Sequence, residues 1–142
     1  MAETIIFISG AYHLGNNPGV FQSASFAGLS LTFPATLTWK PTANNIALVL
    51  HTHDVESWGG TGGHTVKINQ TKVGEIKDVN NADHPNEVTT IPMVKTDFEA
   101  ILAGKDYFTI GIELHLTTPP SIADDFVLTR IDTVDFAAKL GA

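Results

Sequence analysis

The chain has no cysteine among its 142 residues, so neither a disulfide framework nor a thiolate metal site can form. The redox compartment is therefore left open. Basic residues are also few: eight Lys and Arg stand against fifteen Asp and Glu, for a net charge of −7. Nucleic acid and anionic membrane surfaces both select a positive footprint, so this balance argues against either as a partner. Long apolar runs are missing too, and nothing approaches the roughly 20 residues of a membrane-spanning helix. The N-terminus carries Glu3 where a signal peptide needs a cationic region, and the apolar run Ile5–Ile8 is too short for one. These absences predict a cytoplasmic protein with no signal peptide or transmembrane segment, or else a module whose export signal has been removed. No Gly-x-Ser-x-Gly elbow and no Gly-x-x-x-x-Gly-Lys loop occurs, so no nucleophile constellation and no phosphate cradle is visible.

What is present reads as an ordinary globular chain, 43% hydrophobic and 16% charged, long enough for one domain over 1–142 with a real core. Period-2 patterns dominate. Thr4–Ser9 is a short apolar strand, followed by a polar stretch broken at Gly15–Gly19. Leu29, Leu31 and Phe33 alternate with polar residues, as do Leu37 and Trp39, which places Trp39 in the core. Ile46–Asp54 starts apolar on both faces, as a central strand does. His64–Ile68 and Lys72–Ile76 flank Asn69–Thr71 as a hairpin. Glu87–Val94 contains Pro92 and so belongs at an edge. Thr96–Ala103 is the one helix, with Thr96 and Glu99 as a capping box and Gly104 as its stop. Tyr107–Leu116 has the cleanest alternation, and Phe126–Val134 is the last strand. Such an order predicts an all-β, antiparallel β-sandwich with one short helix at 96–103.

Three segments carry a resemblance. His64–Ile76 is similar to a hairpin that continues Asn-Gly-x-x-Val-Gly, with Gln70 standing where glycine is usual. Phe98–Ile110 is similar to a short helix, glycine and aromatic-led strand, and Asp124–Ile131 to a closing strand. Together, over about Ile46–Val134, they resemble the galactose-binding-like jelly roll shared by many carbohydrate-binding modules. That resemblance implies a jelly-roll sandwich and a carbohydrate ligand.

The densest polar cluster lies where the Ile46 strand runs out. His51 and His53 share a face, and Asp54, Glu56 and Trp58 follow into a glycine-rich loop. An exposed Trp58 can stack on a pyranose while Asp54, Glu56, His64, Asn81 or Asn86 bond its hydroxyls. The His-x-His pair can instead ligate a transition metal, joined by Glu113 and His115, which share a face of the Tyr107 strand. A cupin-like enzyme would use such a metal, but the spacing from His53 to Glu56 is too short for the cupin pattern and no preceding glycine stands at Asn45. Asp124 and Asp125, and the run Asp78–Asp83, have the oxygen-rich character of a calcium site without EF-hand spacing. The sequence thus predicts a non-catalytic, lectin-like module for a carbohydrate or other small neutral ligand. The competing readings are a cupin-like metal enzyme and a structural protein whose edge strands build a homo-oligomer.

Overall fold

The computed structural model describes residues 3–55, 63–77, 86–115 and 124–141. In chain order the elements are β1 (Thr4–Leu14), β2 (Ser25–Gly28), β3 (Ser30–Trp39), β4 (Asn45–His53), β5 (His64–Ile68), β6 (Thr71–Ile76), β7 (Asn86–Val94), α1 (Lys95–Leu102), β8 (Tyr107–Glu113), β9 (Phe126–Val134) and β10 (Ala137–Leu140). They form two five-stranded sheets. Sheet A runs β2-β1-β9-β4-β7 and sheet B runs β10-β3-β8-β5-β6. The fold is an all-β sandwich with a short helix. Every pairing is antiparallel except β1 with β2, which is parallel and departs from the purely antiparallel expectation.

Alternation decides what the sheets bury. Leu48 and Leu50 of β4, Leu128 and Ile131 of β9, and Ile110 and Ile112 of β8 are all fully buried between the sheets. Helix α1 buries Phe98 and Leu102. The Phe98 ring lies 5.5 Å from Phe108 and 5.0 Å from Phe136, which ties the helix into the core. Two local expectations need correction, the helix's capping box and the burial of Trp39. Val94 occupies the helix N-cap and makes no side-chain capping bond, so the Thr96–Glu99 capping box does not form. Gly104 (φ 82°) is the expected C′ stop, following Ala103 (φ 52°) at the C-cap. Trp39 is only partly buried, because its strand there pairs with the terminal strand β10 at the rim of sheet B. No described helix is long and apolar enough to cross a membrane.

Candidate functional site

Eight polar or charged residues are buried among the described residues, and six of them sit where the ends of β1, β4, β5, β7 and β9 meet: His13, Thr52, Asp54, His64, Glu87 and Asp124. A buried polar group is costly unless it is bonded, so this clustering at one end sets that end apart from the aliphatic interior. Thr52 and Glu87 stand directly opposite each other on β4 and β7. Asp54 follows β4 in a left-handed conformation (φ 70°), and Val55 after it is buried in the core cluster.

Two histidine–aspartate pairs flank this end. His64 opens β5 with its ring stacked on Phe126, centroids 4.7 Å apart. The backbone N–H of His115 donates to His64 Nδ1 at 3.0 Å. That fixes Nδ1 as the lone-pair nitrogen, so Nε2 carries the proton and donates to Asp124 Oδ2 at 2.9 Å. On the outward side of sheet A, His13 is fully buried and its Nε2 lies 2.8 Å from Asp125 Oδ1. Asp125 also accepts from the backbone N–H of Asn17. The rings of Phe21 and Phe26 pack edge-on against His13 at 5.0 and 4.9 Å. Strand register lines up Phe26, His13, Val127, His53 and Asn86 as one row across the five strands. Asn86 Oδ1 lies 2.8 Å from His53 Nδ1 at the exposed end of this row.

His51 and His53 do share a face, but they hold different partners. His51 Nε2 bonds Asp132 Oδ2 at 3.0 Å, and Arg130 Nε donates to Asp132 Oδ1 at 2.6 Å. Glu113 belongs to the outward face of sheet B, bonded to Lys67 at 2.9 Å. The two sheets therefore separate Glu113 from the β4 histidines, and the predicted grouping of His51, His53, Glu113 and His115 does not come together. His115 contributes its backbone to His64 instead. Asp124 and Asp125 are likewise drawn to different histidines rather than to a shared calcium. Among the described residues no group of three or more such side chains is placed to hold a metal. Glu56, Trp58, Asn81 and the run Asp78–Asp83 lie outside the described residues. His13 and Asp132 were missed by sequence reading; the Tyr12–Leu14 segment, a histidine between core-type residues, was the available signal for the first.

Burial pushes the Asp132 carboxyl up, yet the hydrogen bonds from Arg130 and His51 outweigh it and hold the group below its ordinary value of 3.8. A carboxyl depressed in the folded state stabilises the fold above its unfolded value, and that contribution is lost as pH falls through the folded value. Urea unfolding midpoints followed from neutral pH to below about pH 4 should fall less steeply for Asp132→Asn than for the parent. Equal slopes would show that this carboxyl carries no share of the acid sensitivity.

Comparison of the chain with protein-family models, with curated proteins and with solved structures returns no match.

Proposed function

We propose that the protein is a non-catalytic binding module, lectin-like, that recognises a neutral carbohydrate at the polar end of the sandwich. The gathering of six buried polar side chains at that end carries the reading. A jelly roll of the galactose-binding-like kind is the finer topology we infer, supported by the two-sheet fold and the His64–Ile76 hairpin. Three of the five described histidines hold aspartate carboxylates through Nε2, which fixes the orientation of each ring. His53 and Asn86 are accessible at the edge of the Phe26–Asn86 row, and an amide beside an imidazole offers both donors and acceptors to sugar hydroxyls. Phe26, 45% exposed, supplies an apolar ring at the other end of that row.

A glycan array is the direct test, with metal analysis of the same sample as a control for an enzyme of the cupin kind. Binding to at least one neutral glycan is expected, and Asn86→Ala should weaken it about three- to tenfold, the worth of one hydrogen bond. A blank array at high protein concentration would sink the reading, as would a stoichiometric transition metal.

A further inference from the structure

Strand β7 is the outer strand of sheet A, and its nine residues make it the longest of the four sheet edges. The other three are blunted. Strands β2 and β10 have four residues each, and β6 carries Lys72 and Glu75 with Lys77 just beyond. Backbone groups alternate in direction along a strand, so every second residue of β7 faces away from β4. Pro92 has no N–H to give, and the Lys95 N–H bonds the Asn44 carbonyl, which together fix the even-numbered positions as the outward ones. The N–H groups of Val88, Thr90 and Val94, and the carbonyls of Val88, Thr90 and Pro92, have no partner among the described residues. Their side chains lie on the outer face of the sheet, where Val88 and Val94 are 55% and 47% exposed.

A groove lies beside the helix end of this edge. Gly74 of β6 is pressed against β7, since a Cβ there would come 2.9 Å from the Ile91 side chain, so the two sheet edges meet at that point. Next to it they part, and helix α1 closes the gap. Val73, Met93, Phe98 and Ile101 line the resulting space of about 440 Å³, a volume within the usual range for a ligand pocket. Two charged residues stand on its walls. Lys72 is bonded to Glu75 at 2.7 Å, whereas Asp97 is exposed and has no ion-pair partner among the described residues. The groove therefore offers apolar walls and one unbalanced negative charge.

We propose that this edge binds an extended peptide segment carrying a basic residue, which adds to sheet A as a sixth strand beside β7. Its backbone takes up the open donors and acceptors between Val88 and Val94, and its basic residue meets Asp97. Side chains of an added strand alternate, so those facing inward drop between β6 and β7 into the groove, while the others pack on Val88 and Val94. A second copy of this chain fits less well. Both copies carry −7 and repel, and pairing β7 with itself about Thr90 sets each Pro92 against a Val88 carbonyl to which it can donate nothing. The groove lies at the opposite end of β7 from Asn86, so this site stands apart from the polar end of the sandwich and does not depend on that reading.

The test is an amide-resolved NMR titration of the full chain with blocked hexapeptides of alternating Leu and Thr, bearing Arg at one terminus or the other, and with the same pair bearing Asp instead. An Arg peptide should shift Val88, Thr90 and Val94 together with Val73 and Ile101, and should bind about threefold more tightly than its Asp counterpart. Asp97→Asn should remove that preference. Ala100→Trp, at an exposed position on the groove wall, should abolish binding and leave Tm unchanged. N-methylation of one alternate set of peptide amides should abolish binding and that of the other set should not, as a ladder on one side of the peptide requires. The same response to both sets would overturn strand addition. So would equal affinity for Arg and Asp peptides, or the absence of shifts along β7 with all of them. Shifts confined to His53 and His64 would support the end site while overturning this one, so the two readings fail separately. Sedimentation of the chain alone should give a monomer; a dimer whose dilution moves the same β7 amides would place a second copy on this edge and overturn the proposal.

Discussion

Gly15→Ala is expected to lower unfolding stability by about 3 kcal/mol, a large loss for a fold of ordinary stability. The added methyl would overlap Asp125 Oδ1 and Cγ and come within 3.0 Å of the Asp125 Cα, so both the carboxylate and the start of β9 must shift. His13 then loses its bond to Asp125. Its Nδ1 already has no hydrogen-bond partner among the described residues, so a fully buried imidazole would be left with neither nitrogen bonded. Each such buried orphan costs about 1–3 kcal/mol, and the displaced strand end adds to it. A double-mutant cycle with Asp125→Ala, read by urea unfolding, isolates the cause. Once the carboxylate is gone, Gly15→Ala has less to displace, and a coupling of about 1–2 kcal/mol should appear. Additive losses would mean that Gly15 serves the turn and not Asp125.

Much of the fold was legible because its regular strands obey one rule. Phe108, Ile110 and Ile112 alternate with Tyr107, Thr109 and Gly111, and the structure buries the first set and turns the second outward. Pro92 marked β7 as an edge strand, and it is the edge of sheet A. What escaped was short or irregular. Strands β2 and β10 have four residues each, too few for a period to declare itself. Strand β1 continues beyond Ser9 through exposed Gly10 and Ala11, where its register against β9 shifts. Local rules cannot see such a continuation.

The site divides along the same line. That His51 and His53 share a face followed from alternation alone. Which acid each histidine meets did not, because Asp132 is 81 residues from His51 and Asp125 is 112 from His13. Those pairings are set by β9 lying between β1 and β4, and strand order is a property of the whole sheet. The adjacent pair Asp124-Asp125 looked like a cation site for the same reason. Neighbouring residues in an extended chain point to opposite sides, so one carboxylate reaches into the sandwich to His64 and the other outward to His13.

His64→Phe is expected to cost about 3 kcal/mol, even though it keeps an aromatic ring over Phe126. The imidazole does two jobs that a phenyl ring cannot. Its Nδ1 accepts the backbone N–H of His115, and its Nε2 donates to Asp124, with both side chains only about 5% exposed. Removing it deprives that carboxylate of a donor and the His115 N–H of its acceptor, in a place where little water can replace either. Asp124→Asn keeps an oxygen for the same Nε2–H and should cost about 1 kcal/mol. Urea unfolding of the two variants therefore ranks them, with His64→Phe the worse. If stacking on Phe126 is what His64 contributes, His64→Phe will instead be neutral. Nitrogen chemical shifts of the His64 ring give a second check: the bonding pattern demands a proton on Nε2, and an Nδ1–H form would contradict it.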